Sequence, residues 1–492
     1  METGRSGLPP LGAHLHLLGI CGYAVSGLAL ACRQMGYRVT GSDEDAYPPT
    51  TEILKEAGIE FARVHTPANL DRWGVPDLVI LGNQVQASNS ELEGAITRAL
   101  PLLSEAEAQG LLARGRLRAV ICGTHGKTTT SSLAAWMLEG AGLDPGFRLG
   151  STSRDFGMAV RLGDLSSPFV FEGDEYTTSA LDRRAKFLHW HPQVVTLLNL
   201  ELDHPDLYPN IAAYTEPYRK LVGEIPEDGL LVVNAEAPAA LALSASAACR
   251  VETFGLHAGD WRLAGEPQMD AGRRQLRVAG PNGLQVAMPL PIFGDHNASN
   301  ALAALATAVA LGASADRSAQ AAASYRGAAR RFEFLGAVEE VTVVDDYAHH
   351  PTKIRATLAG ARQWAGPQRQ LVIVHVPHTY SRTLALLEDY RDAFEGADLV
   401  VLGPIEPARE RALAGSVSSA DVAARVRGAE VVLVGSAEEA VEVVRRHLSP
   451  PALVVCTSVR GFDGVAARLL SALREAADQL PKPRLEAASS RD

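Results

Sequence analysis

Gly123-Thr-His-Gly-Lys-Thr-Thr-Thr130 carries the clearest chemistry in this sequence. Its two glycines, Gly123 and Gly126, let backbone N–H groups turn toward phosphate oxygens. Lys127 neutralises charge at the terminal phosphates, and the Thr128 hydroxyl can ligate magnesium. Thr124, His125 and Thr129 complete the loop. Gly123 stands two residues closer to Lys127 than in the common GxxxxGK[ST] form. The result is a GxxGKT variant, and the apolar run before it and helical pattern after it are the context of a phosphate loop. The bland alternative is a glycine turn with a surface lysine.

Phe171-Glu-Gly-Asp-Glu-Tyr176 sets Glu172, Asp174 and Glu175 at the end of a strand, where parallel sheets bind ligands. Three carboxylates there repel one another unless a cation joins them. Magnesium suits the place, because it takes few protein ligands and fills its shell with phosphate and water; a solvated acidic turn is the alternative. Asn199-Leu-Glu-Leu-Asp-His204 ends another strand, and its Asp203 and His204 suit a second metal or a phosphate, with a structural or solvated histidine as the bland alternative. Asp345-Asp-Tyr-Ala-His-His-Pro351 suits a nucleotide ribose or a reacting acid. Arg330-Arg-Phe-Glu333 and His378-Thr-Tyr-Ser-Arg382 add cations for phosphate or carboxylate, though such pairs are often solvated surface. Near the amino terminus, residues 19–27 read as a strand-to-helix turn for a nucleotide diphosphate, with Asp43 closing the next strand for a ribose. Cys21 and Ala24 occupy two glycine positions of GxGxxG, which weakens a dinucleotide reading and leaves some nucleotide as the expectation.

These residues need elements to hold them. Three segments each open on a buried-strand pattern and alternate apolar runs with helical stretches, which predicts doubly wound α/β units. In the first, strands are expected at 14–18, 37–41 and 77–82 with a helix over 26–35. In the second they fall at 118–122, 169–172 and 194–199 with a helix over 128–141; a β-rich stretch at 255–291 and an Ala-rich helix from Asn297 follow. The third shows strands at 341–345, 371–376, 399–402, 431–434 and 453–456. The 492 residues exceed one core at roughly 100–200 residues per domain, and domains are expected at 13–115, 116–327 and 328–480. The tails, 1–12 and 481–492, are rich in Pro, Ser and charge and are expected to be disordered.

A formal charge of -11 argues against nucleic acid as a partner, since that role needs a basic face. The five cysteines are scattered with no CxxC pair, which argues against disulfide frameworks and zinc sites. There is no apolar run of about 18 residues and no signal-peptide core. A soluble cytoplasmic protein without membrane partners, monomeric or weakly homodimeric, is the expectation.

Taken in order, GTHGKTTT, EGDEY, NLELDH, GDHNASNALAA and DDYAHHPT resemble the Mur ligase family of peptidoglycan enzymes across nearly the whole chain. The resemblance implies an α/β protein of three domains: a Rossmann-like UDP-binding domain, a central P-loop ATPase domain with a parallel sheet, and a carboxyl-terminal Rossmann-like domain for the incoming amino acid or peptide. It implies ATP and magnesium, two ions by family habit, and an acyl phosphate on the carboxylate of UDP-N-acetylmuramate that an amine then attacks. By resemblance, Thr128 and Glu175 hold the first magnesium and His204 the second. His296, Asn297 and Asn300 lie near the ATP base, Arg331 and Asp346 near its ribose and phosphates, and His349, His378 and Arg382 near the reacting groups. Gly19, Ile20, Cys21, Gly22, Ser42, Asp43 and Asn83 are expected around the UDP-sugar. Several members bridge the metals with a carbamylated lysine, and here Tyr218 stands where that lysine is expected. HLLGICG, GSDEDAYPP, ILGN, KFLHWHP and SVRGFDGV are most similar to the branch that attaches the murein tripeptide L-Ala-γ-D-Glu-meso-diaminopimelate. PHTYSRT is more similar to the branch that adds L-alanine. A non-catalytic UDP-sugar-binding protein is the rival from another class, and the retained Lys127, Glu175 and His204 speak against it. An NAD-dependent oxidoreductase rests on the first glycine loop alone.

Overall fold

The computed structural model describes residues 7–46, 50–203, 207–270, 273–408 and 410–479. Two compact units divide the chain, one ending at Ala329 and one beginning at Arg330. His204, residues 1–6 and 480–492, and the end of the GSDEDAYPP motif lie outside the described residues. Residues 7–12, expected in a disordered tail, are placed: the Tyr37 hydroxyl donates to the Pro9 carbonyl at 2.9 Å.

The first unit holds two parallel sheets. One has five strands, in the order Glu60–Ala62, Arg38–Ser42, His14–Leu18, Leu78–Leu81 and Leu102–Ser104. Continuous Val/Leu/Ile runs such as Leu78–Leu81 are buried throughout, as strands covered on both faces must be. The helix after the first strand is Tyr23–Gln34, three residues earlier than expected at its start. The turn is therefore only residues 19–22, and Gly27 is a helix residue. A Cβ there would sit 2.5 Å from the Val160 side chain, so Gly27 lets this helix approach the neighbouring sheet.

That second sheet runs Arg250–Phe254, Leu230–Asn234, Val194–Leu197, Arg118–Cys122, Phe169–Gly173, Gly146–Arg148 and Val160–Arg161, parallel except for its last pair. Helices Lys127–Gly140 and Asp295–Ala310 share one buried cluster with it. The two sheets are fastened by Trp190, whose indole donates to the Ala106 carbonyl at 3.1 Å. The β-rich stretch is a separate antiparallel sheet of four strands, among them Arg273–Ala279 and Gln285–Leu290.

The second unit is a six-stranded sheet in the order Glu333–Val338, Val341–Asp346, Ala452–Thr457, Gln370–His375, Leu399–Leu402 and Glu430–Leu433. Only its first strand is antiparallel. That strand was not expected, because Glu333–Val338 mixes half-buried and exposed positions at a sheet edge and its apolar run is broken by Gly336. Among the described residues, no helix is long and apolar enough to cross a membrane.

Candidate active site

Three neighbouring strands of the second sheet, Val194–Leu197, Arg118–Cys122 and Phe169–Gly173, end at the same edge. Their tips are the NLELDH, GTHGKTTT and EGDEY segments, so motifs as much as 80 residues apart along the chain meet here for topological reasons. Gly126 caps the helix Lys127–Gly140 at φ 85°, a left-handed conformation that favours glycine, and aims the helix amino terminus into the site. A Cβ on Gly126 would also lie 2.4 Å from the Asn300 Oδ1, so the amino-terminal turn of Asp295–Ala310 closes against the loop. Asn297 anchors that turn by donating to the Phe293 carbonyl at 2.7 Å, and Asn300 donates to the Asn297 Oδ1 at 3.3 Å. His296 beside them is exposed.

The loop is clamped from the next strand tip. Asn199 accepts from the His125 N–H at 2.8 Å and donates to the His125 carbonyl at 3.1 Å. Thr124 Oγ1 donates to the Glu201 carbonyl and accepts from the Glu201 N–H, both at 2.9 Å. His125 Nε2 lies 2.5 Å from a Glu201 carboxylate oxygen.

Lys127 Nζ bonds the Gly123 carbonyl at 2.7 Å and Glu175 Oε2 at 2.8 Å. Burial disfavours its charge, but Glu175, Asp174 and Glu172 hold the ammonium above its ordinary range. Glu172 is the last side chain but one of its strand and is buried; its oxygens accept from Thr128 Oγ1 at 2.7 Å and the Gly150 N–H at 2.5 Å. The donors fit a hard cation. Thr128 gives its proton to Glu172 and keeps oxygen lone pairs as its ligating group, Glu175 adds a carboxylate, and the Lys127 ammonium on Glu175 marks a place that calls for positive charge.

Sequence reading did not single out Tyr208 and Tyr214, which lie against Glu175. Tyr208 donates to its carbonyl at 2.6 Å and Tyr214 to its Oε1 at 3.3 Å. The tyrosines at 214 and 218, four apart on the helix Ile211–Gly223, were the available signal. Tyr218 does lie on this side, its hydroxyl 3.1 Å from that of Tyr214, while Lys220 reaches toward Glu224.

In the first sheet, Gly19, Ile20, Cys21 and Gly22 leave the strand His14–Leu18 beside the Gly82 turn that carries Asn83. This is where strand order reverses direction, the usual ligand crevice of such sheets. The turn uses its own donors: Gly19 and Ile20 N–H bond the Ser42 carbonyl, Gly22 N–H bonds the Gly19 carbonyl, and Cys21 N–H bonds Asp43 Oδ2 at 2.7 Å.

In the second unit, three neighbouring strand ends gather the remaining residues. His349 Nδ1 is 2.9 Å from the Tyr347 carbonyl, its ring is 5.8 Å from that of His378, and His378 Nδ1 is 3.0 Å from Arg382. Arg331 lies over the Tyr347 ring. Asp346 accepts from the Phe332 and Ala348 N–H groups, each at 2.7 Å, and burial pushes its carboxyl above the usual range.

Comparison with known proteins agrees with this layout. Residues 14–116 match the Mur ligase family catalytic domain, 121–308 the Mur ligase middle domain, and 330–460 the Mur ligase glutamate ligase domain. The chain is 36% identical to the UDP-N-acetylmuramate–L-alanine ligase of Roseiflexus sp. (strain RS-1), over 89% of this chain and 94% of that protein. It is 33% identical to the UDP-N-acetylmuramate–L-alanyl-gamma-D-glutamyl-meso-2,6-diaminoheptandioate ligase of Escherichia coli (strain K12), over 94% and 99%. Among solved structures, a murein peptide ligase from Psychrobacter arcticus superposes with a TM-score of 0.71 at 28% identity, covering 96% of this chain and all of that one. With all three of its sheet-bearing segments matched, the chain belongs to the Mur ligase family, whose members are ATP-dependent amide ligases of peptidoglycan synthesis.

Proposed function

We propose that this enzyme joins the carboxylate of UDP-N-acetylmuramate to the α-amino group of the L-alanine that heads the murein tripeptide. The observation that carries the ligase chemistry is the Lys127–Glu175 pair over a helix amino terminus, a cation and an anion poised where a nucleotide phosphate and its metal belong. The tripeptide is supported by KFLHWHP and SVRGFDGV and by the name of the Psychrobacter relative. Free L-alanine is the second reading, favoured by relatives that are 36% and 40% identical. Both readings form the same bond and differ in the group attached to the alanine carbonyl.

A carboxylate oxygen is a poor leaving group, so the sugar's carboxylate first attacks the γ-phosphorus of ATP, releasing ADP and leaving an acyl phosphate. The amine then attacks the acyl carbon, and the tetrahedral intermediate expels phosphate and a proton to give the amide. Lys127 and the N–H groups of residues 127–129 bind the transferring phosphoryl group and stabilise its charge, while the Thr130 N–H closes the first helical turn on the Gly126 carbonyl. Magnesium, when held by Thr128 and Glu175 with a second ion at His204, neutralises the same oxygens. Asn297, Asn300 and His296 receive the ATP base, and Arg331 and Asp346 its ribose and phosphates. His349, His378 and Arg382 bind the reacting groups. The UDP diphosphate sits at the helix Tyr23–Gln34, on the N–H groups of residues 23–25, because the glycine turn has used its own donors. Domains at 13–115, 116–327 and 328–480 divide the sugar nucleotide, ATP and amine, and the reaction belongs to the cytoplasm.

The test is ADP release with UDP-N-acetylmuramate against the tripeptide, L-alanine, L-serine and glycine. Tripeptide is expected to give the highest kcat/KM. Turnover with L-alanine and none with tripeptide rejects the first reading for the second; no ADP with any amine rejects both.

A further inference from the structure

Lys127 Nζ points its three protons at the Gly123 and Thr124 carbonyls and Glu175, so a nucleotide phosphate must draw the ammonium partly away from these partners. Once the ammonium is drawn toward phosphate, its bond to Glu175 Oε2 weakens, and a carboxylate two residues beyond the strand Phe169–Gly173 can change rotamer. The structure supplies a second hold. Tyr208 bonds the Glu175 carbonyl and fixes the main chain. Tyr218, fully buried, gives its proton to Tyr214, which leaves Tyr214's own proton to point at Glu175 Oε1. Thr124 Oγ1, 3.1 Å from the Tyr214 oxygen, is the competing acceptor, but it is neutral and already accepts the Glu201 N–H. A charged acceptor wins that competition, and donation from Tyr218 strengthens the Tyr214 bond.

We propose that Tyr214, backed by Tyr218, is a positioning residue that holds Glu175 aimed at the phosphate loop so that its other oxygen can receive the divalent cation. This rests on Glu175 being a cation ligand. It adds a hydroxyl relay from a helix that carries no lysine on that side.

Binding of Mn2+ to the full chain saturated with a non-hydrolysable ATP analogue, followed by the loss of the free Mn2+ EPR signal, tests it directly. Y214F is expected to weaken Mn2+ about tenfold, and Y218F to weaken it less in the same direction. In turnover, half-saturating Mg2+ rises for Y214F while the KM for UDP-N-acetylmuramate stays put. Wild-type Mn2+ affinity in Y214F, with E175Q weakened, overturns the relay alone. Wild-type affinity in E175Q overturns Glu175 as ligand and the relay with it. A Y214F protein that melts far below wild type leaves the Y218F arm to decide, and an unshifted Y218F then rejects the relay.

Discussion

At the scale of single residues, Lys127 and Glu175 have two jobs that mutation can separate. Both are largely buried, so removing the ammonium strands a carboxylate away from water, a loss of about 3–5 kcal/mol. K127A is therefore expected to melt well below wild type and to lose about 10²–10³ in the rate of ADP formation. K127A/E175Q is expected to regain most of the stability and none of the turnover, read by thermal unfolding and single-turnover ADP release. Recovery of turnover in the double variant would show that Lys127 acts through Glu175 alone. The phosphate loop was legible because its glycines, lysine and threonine are contiguous and flanked by a strand and a helix. Tyr214 was not, because a buried tyrosine on an amphipathic helix has the same sequence signature as ordinary core. His204 was named from its motif and lies outside the described residues.

At the scale of elements, the first sheet is tied together by a buried polar chain that no motif announces. His16, fully buried on the first strand, meets Glu91 at 2.8 Å, although 75 residues separate them. Glu91 also accepts from the Asn69 side chain at 3.0 Å, and His65 sits between it and Ser42, the residue whose carbonyl receives the glycine turn. Burial raises the Glu91 carboxyl, but bonds from His16, His65 and Asn69 outweigh it and bring it down to about 2 from 4.5. A depressed carboxylate stabilises the fold above its unfolded value, and that stability is lost as pH falls from 4.5 toward 2. His65, whose charge burial opposes, is nonetheless held above 6.5 by Glu91, so its contribution is present below 6.5 and lost as pH rises through the raised value. The melting difference between wild type and E91Q is expected to peak near pH 5–6, at about 2 kcal/mol, and to shrink on both sides. A difference that does not vary with pH rejects the ionic account of the chain. The parallel strands that were expected lie within one or two residues of their places, but Glu60–Ala62, Leu102–Ser104, Gly146–Arg148, Leu230–Asn234 and Arg250–Phe254, parallel as well, were not expected. The edge strand Glu333–Val338 was missed because Gly336 and half-buried positions interrupt its apolar pattern, and Gly27 fell in both the expected turn and the expected helix because only the packing of Val160 reveals why a helix carries it.

At the scale of the whole molecule, division at Ala329 follows from how each unit covers its own sheet. In the second unit, helix Pro351–Ala365 packs Ile354, Leu358 and Ala361 on one face, together with Tyr390 and Phe394. Helices Ala437–His447 and Val465–Gln479 pack Ala440, Val444, Leu469 and Leu470 on the other. A parallel sheet needs both faces covered, and here residues after 330 supply both covers. A chain of about 150 residues buries roughly 68–70% of its unfolded surface, enough for an independent core. Residues 330–480 expressed alone are therefore expected to give one cooperative thermal transition and a near-ultraviolet circular dichroism signal from Trp364 and its aromatic neighbours Phe334 and Phe332. A broad transition with no near-ultraviolet signal, the behaviour of an unpacked globule, rejects independence and makes the first unit part of this core. With the amine assigned to this unit under the proposed function, cooperative folding makes its specificity exchangeable between relatives as a single piece. Grafting that unit from an L-alanine ligase is then expected to move the preferred amine from tripeptide to L-alanine, while the KM for UDP-N-acetylmuramate stays with the first unit.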